Sequence, residues 1–414
     1  MTVTASTDLA PTPALVLDSA AAAIASARRA VVAERYAANS FAVEWRSLTE
    51  LGAIVAEWRE LAGHALEPNV FYEPAFALEA AGVFGRDAGA VLIWSGTSPR
   101  QLLGFFPARV EPRRYGLRLP ILAGWTHPYA PLGTPLVERD AAEPVIAAWL
   151  AHLADNPQLP GLVLLPYLPA DGPFATLLGG ILERAQMPAA DCNHRARALL
   201  APPNDDRTRY IEQSLGRHRR KELRRSVRRL GDIGAILFTT ATEAAPIAAA
   251  LRDFLMLESR GWKGQAGTAA VLHDDIRGFI TAAIAGLAAD GKVAINRILV
   301  DGRAIAVTIT LRSGDTAWFW KIAYDEDYAP FSPGVILTVA VTEELLDDTA
   351  IARTDSCAAP NHPMIDRIWG ERLALCDRLI AVRPQAPFPL VRRLETLRNA
   401  GIAAAKSVRD RFRD

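Results

Sequence analysis

The chain has 414 residues, half of them hydrophobic and 22% charged, with 46 basic and 46 acidic side chains. Such a length exceeds one ordinary core and predicts two domains, and the composition excludes a disordered or fibrous chain. The cancelling charges leave no global field for nucleic acid or membrane, so any basic surface must be local.

Three cysteines, Cys192, Cys357 and Cys376, lie far apart and form no C-x-x-C pair. This argues against a disulfide framework and for a reducing, cytoplasmic setting. The Ala-rich stretch Ala20–Ala25 is too short and weakly apolar for a leader or a span, so neither is expected. Residues 1–39 read as an extension with a helix around Ser19–Ala37.

The first domain, within 40–204, begins with a strand at Phe41–Ser47. Leu51, Ile54, Val55, Trp58 and Leu61 then fall at helical spacing. Strands follow at Ala90–Trp94, Gln101–Val110 and Leu117–Gly124, a helix at Pro144–Leu153, a strand at Leu162–Pro166 and a helix at Phe174–Gln186. The cluster Ala201–Asp206 is the linker candidate.

The second domain, 205–384, opens with a helix and a basic segment, Arg217–Arg229, with eight Lys or Arg and one acid. A strand at Ala235–Thr240 and helices at Glu243–Ser259 and Val271–Ala289 come next. Three antiparallel strands follow: Val293–Val300, Arg303–Arg312 and Thr316–Ala323. Asp301-Gly302 and Ser313-Gly314-Asp315 join them as hairpin turns. A helix at Pro333–Leu346, a strand near Ala352–Ser356, a short helix near Met364–Trp369 and a strand near Leu373–Val382 complete it. Residues 385–414 read as a basic helical tail. The order of elements, similar in both halves, predicts an α+β (mixed α/β) fold of two duplicated units, each a mainly antiparallel sheet flanked by helices.

Four segments of the second half together resemble a known family: Leu215–Arg225, Leu257–Gly264, Lys321–Tyr328 and Ser332–Leu337. They are similar to GNAT-superfamily acetyltransferases associated with bacterial cellulose biosynthesis, relatives of the FemAB-type transferases. The resemblance implies tandem GNAT-like domains and transfer of an acyl group, usually from acetyl-CoA or another acyl-CoA, to an amine. FemAB-type relatives use aminoacyl-tRNA instead. Ordinary GNAT enzymes carry a Gln/Arg-x-x-Gly-x-Gly/Ala loop before the pyrophosphate-binding helix. Here Tyr328–Gly334 holds one glycine, which also leaves open a binding protein that has lost the donor.

Ser332-Pro333-Gly334 suits a helix start, with Ser332 as side-chain N-cap and Pro333 at the first helical position. A helix N-terminus there would cradle a phosphate with free N–H groups and its dipole. With the resemblance, Lys321, Tyr328, Phe331, Ser332, Gly334 and Val335 are the expected donor-binding residues. Tyr324 is a candidate acid for the departing thiolate, and Glu258, Asp355 and His362 are candidate bases for the amine. Each also has a plain structural reading, as part of a helix cap or as a polar loop residue. The seven histidines show no metal-ligand spacing, so no metal is expected. For Arg217–Arg229 a structural or donor-phosphate role is favoured over nucleic acid, with tRNA a partner only under the FemAB-type alternative. The expected acceptor is a small-molecule or glycan amine.

Overall fold

The three-strand meander forms where the turn chemistry places it. Asp301 and Gly302 both have positive φ (48° and 78°), the backbone that a two-residue hairpin turn requires. The computed structural model describes residues 41–411 except 97, 203–206, 208, 262–263, 265–266 and 268. The helix expected at Ser19–Ala37 and most of the linker therefore lie outside the described residues.

The first half runs β1 (Ala42–Ser47), α1 (Val55–His64), α2 (Pro74–Phe84), β2 (Ala88–Trp94), β3 (Leu102–Glu111) and β4 (Ile121–Gly124). It continues with β5 (Leu136–Val137), α3 (Ala142–Asp155), β6 (Leu162–Pro169), α4 (Pro173–Arg184) and β7 (Ala189–Leu200). The second half runs α5 (Tyr210–Ser214), α6 (Arg217–Gly231), β8 (Ile236–Ala241), α7 (Ala244–Arg260), α8 (Asp274–Ala289), β9 (Val293–Val300), β10 (Arg303–Ser313) and β11 (Thr316–Tyr324). Then come α9 (Pro333–Asp347), β12 (Arg353–Asp355), β13 (Glu371–Ala381) and α10 (Phe388–Arg411). The sequence reading omitted α2, β5 and β7. It also began β4 four residues early, at Leu117; Pro120 has no N–H for the ladder, and regular pairing starts at Ile121.

The fold is mixed α/β, as expected. All strands join one largely antiparallel sheet in the order β1-β2-β3-β4-β6-β13-β7-β12-β11-β10-β9-β8, with β5 on β3. Each half contributes four antiparallel strands and then a parallel neighbour: β6 beside β4, and β12 beside β11. The duplication is thus visible in topology. The halves are interlocked, because β13 pairs with β6 on one side and β7 on the other.

Helices cover both faces. One core runs the length of the sheet, joining Trp58, Phe71 and Phe105 of the first half to Phe254, Phe279 and Trp318 of the second. On the opposite face, α3 and α4 bury Trp149 and Phe174, while α6 and α9 bury Leu223, Leu230 and Leu337 against Phe319 and Trp369. Each such side chain contributes about 1.5–3 kcal/mol by leaving water. Lys292 pairs with buried Glu73 at 2.7 Å, which also accepts from the Ser313 hydroxyl, so polar contacts bind the halves too.

Candidate active site

β11 and β12 pair over three residues, Thr316–Trp318 against Arg353–Asp355. Beyond them the strands part, and a cavity of about 650 Å³ opens between β11, the start of α9 and the segment after β12. Its walls include Ile322, Tyr324, Gly334, Cys357, His362 and Met364. A volume of that size suits a small-molecule site.

The turn into α9 differs from expectation. Ser332 does not cap with its side chain; its backbone is left-handed (φ 56°, ψ 49°), and it ends the 3-10 turn Glu326–Phe331. The reversal puts its carbonyl, not its hydroxyl, at the helix start, where it accepts from Val335 and Ile336 N–H at 3.0 and 3.1 Å. This conformation costs a non-glycine residue roughly 1–2 kcal/mol. Pro333 has no N–H and Val335 donates to Ser332, and Gly334 is buried in the cavity wall beside them. Space at Gly334 is tight, since an added Cβ would lie 3.3 Å from the Tyr324 ring and the ring would have to give way.

A β-bulge shapes β11. Its register against β10 shifts between Lys321 and Phe319, leaving Trp320 as the extra residue. The bulge turns Trp320 and Lys321 to the same side of the sheet. The Lys321 ammonium rests 4.2 Å from the Tyr129 ring centroid and 5.5 Å from that of Trp320. Lys321 borders the cavity, yet its charge is held on the face opposite α9, away from the phosphate position expected for it. After the bulge Ile322 and Tyr324 point toward α9, and both lie within van der Waals range of the Gly334 position.

Six of the ten expected residues line the cavity: Lys321, Tyr324, Ser332, Gly334, Val335 and His362. Tyr328 and Phe331 pack outside it, their rings 6.4 Å apart, with the Arg229 guanidinium 4.9 Å over Phe331. His362 uses Nδ1 to accept, at long range, from Met364 and Ile365 N–H, starting the short helix there. Asp355 is buried; one oxygen meets Arg197 at 2.5 Å and the other accepts from Cys357 N–H. Such engagement makes Asp355 a structural ion pair that fixes the end of β12. Glu258 lies on the α7 side of the sheet, buried, accepting from Ala270 N–H at 3.0 Å. It lines a small pocket of about 50 Å³ whose walls share Ile322 and Tyr324 with the main cavity. The end of β11 thus separates a carboxylate on one face from the cavity on the other.

Several residues at the site gave no sequence signal. The Cys357 thiol lines the cavity, and burial, with Asp355 nearby, pushes its pKa well above the usual thiol range. Burial also lifts Tyr129 to about 12, aided by Glu258 and Asp275. His127 stacks on Phe84 at 4.5 Å, and burial plus the Lys321 charge lower it to about 3. Among the described residues no His, Cys, Asp or Glu group could hold a metal ion, and no helix is long and apolar enough to cross a membrane.

Residues 217–362 match the acetyltransferase (GNAT) domain family, a span that runs from α6 to His362 and holds most of the cavity wall. No curated protein matches the sequence. Among solved structures, FemX is similar at 10% identity and a TM-score of 0.54, covering 82% of this chain and 98% of that one. A conserved protein of unknown function from Bacteroides thetaiotaomicron VPI-5482 is similar at 10% identity and a TM-score of 0.50, covering 82% and 99%. Residues 217–362 are thus similar to a GNAT acetyltransferase domain, within a fold shared with these structures.

Proposed function

We propose that the protein is an N-acyltransferase that moves an acyl group, most simply acetyl, from acyl-CoA to an amine acceptor by direct attack. The observation that carries this reading is the cavity where β11 leaves β12, with the Gly334 turn of α9 on its rim, inside the matched acetyltransferase region. In this reading the Gly334 N–H and the α9 dipole hold the donor's pyrophosphate, and the acyl-bearing arm enters the gap between the strands. Backbone N–H groups of β11 that β12 no longer pairs stabilise the oxyanion.

Glu258 takes the proton from the amine on the α7 face, and the amine nitrogen then bonds to the acyl carbon. The carbon–sulfur bond breaks, and Tyr324 protonates the leaving thiolate. No covalent enzyme intermediate is needed, in keeping with the upward shift of the Cys357 thiol pKa. Cys192, Cys357 and Cys376 are all free, in keeping with a reducing, cytoplasmic setting. We read 40–204 and 205–384 as the two duplicated units, with the second bearing the chemistry.

A second reading, transfer from aminoacyl-tRNA, draws on the exposed arginines of α6 and the single glycine of the donor loop. Calorimetric titration with acetyl-CoA, and separately with aminoacyl-tRNA, separates them. Saturable binding of acetyl-CoA supports the first reading. Binding of aminoacyl-tRNA alone replaces it with the second, and binding of neither leaves a protein that kept the fold and lost the donor.

A further inference from the structure

The basic segment of α6 has no part in the chemistry above. This 15-residue helix buries a narrow strip, Leu223 and Leu230, against the sheet. At 3.6 residues per turn the opposite face carries Arg217, Lys221, Arg225 and Arg228, with Arg224 at its edge. All five are exposed and, among the described residues, none forms a salt bridge; Arg219 and Arg220, by contrast, pair with Glu222 and Glu212. From Arg217 to Arg228 the cationic stripe is roughly 16 Å long. Acids dilute it little, since eight Lys or Arg and two carboxylates, Glu222 and Asp232, lie between Arg217 and Phe238.

Large apolar side chains follow at once. Ile233, Leu237 and Phe238 are 50%, 56% and 43% exposed. Among the described residues β8 is the terminal strand of the sheet, and no strand covers its outer side. Ile236 packs in the core under α6, and the Thr240 hydroxyl donates to Glu344 of α9. Phe238 lies between them on the same face, beside α6 at the sheet edge.

We propose that this surface docks the protein on an anionic lipid bilayer. The stripe meets headgroup phosphates while Ile233 and Phe238 enter the boundary with the acyl chains. Nucleic acid would engage the same cations, but a single strand favours stacked aromatics, and two of the three exposed apolar residues are aliphatic. Arg229, at the end of α6, reaches Phe331 in the turn leading to α9, so docking brings the rim of the cavity close to the bilayer.

The test is co-sedimentation of the full chain with vesicles of phosphatidylcholine alone or mixed with phosphatidylglycerol. Binding to the mixed vesicles that weakens with salt is expected, with little binding to phosphatidylcholine. The Arg225→Glu/Arg228→Glu variant should bind at least about tenfold more weakly. Ile233→Ser/Phe238→Ser should weaken binding as well, while keeping its salt dependence. All four positions are exposed, so unchanged thermal melting will confirm that the variants fold. No vesicle binding, equal binding to both lipids, or retention of polyuridylate alone with Ile233→Ser/Phe238→Ser unaffected would overturn the proposal.

Discussion

Trp318 and Asp355 are the last partners of the β11–β12 ladder, and the cavity begins where that ladder stops. Both are buried: Trp318 sits in the long core and Asp355 is paired with Arg197. The opening is therefore clamped at its closed end by a packed indole on one strand and an ion pair on the other.

Breaking the clamp should be costly. Arg197→Met leaves the Asp355 carboxylate buried without its cation, which typically destabilises by about 3–5 kcal/mol. A clear fall in the denaturant midpoint, together with loss of donor binding, is expected. A midpoint within error of wild type would show that Asp355 finds another partner.

Gly334→Asp introduces a side chain against the Tyr324 ring and a negative charge beside the α9 N-terminus. Donor affinity should fall beyond detection by calorimetry, while circular dichroism stays native. Retained affinity would remove this turn from the site.

Tyr324→Phe keeps the ring against Gly334 and removes the hydroxyl. If Tyr324 protonates the leaving thiolate, kcat drops by about 10²–10⁴ with the KM for acetyl-CoA unchanged. A parallel rise in KM would instead assign Tyr324 to binding.

Glu258→Gln retains an oxygen for the Ala270 N–H but cannot accept a proton from the amine. A kcat loss of similar size is expected, with donor affinity intact. Full activity would move the base elsewhere, with His362 the next candidate in the cavity wall.

His127 supplies a pH signature. Its pKa is lowered from 6.5 to about 3 in the folded protein, so the unfolded chain binds the proton more readily. Stability is thus unaffected by this group above pH 6.5 and declines as pH falls from there toward about 3. His127→Phe, which preserves stacking on Phe84, should show a shallower loss over that interval in denaturant titrations. Identical slopes would mean that His127 is protonated at no cost.

The meander was legible because its turns carry Asp-Gly and Ser-Gly-Asp between β-branched runs, a local signal that local physics obeys. The start of α9 was legible from Pro333 for the same reason. The bulge at Trp320 left no mark, since Trp320 and Lys321 simply continue the strand-like run Thr316–Ala323; the Lys321 side chain is found beside Tyr129. Likewise, the fate of Asp355 depends on Arg197, 158 residues earlier in the chain. β7 escaped notice because Asp191, His194, Arg195 and Arg197 break its alternation. Its partners, β12 and β13, lie in the other half of the chain and pair with it for reasons its own residues do not announce.

The position of β13 has a consequence for how the chain is made. Synthesis delivers β6 and β7 roughly 200 residues before Glu371–Ala381, the strand that fits between them. At about 5–20 residues per second, the ribosome leaves those two edges unsealed for ~10–40 s. Bare edges are templates for pairing with other chains. Nascent chains of this protein are thus at greatest risk of aggregation late in translation, and a chaperone that shields β6 and β7 during that wait would raise the yield of folded protein.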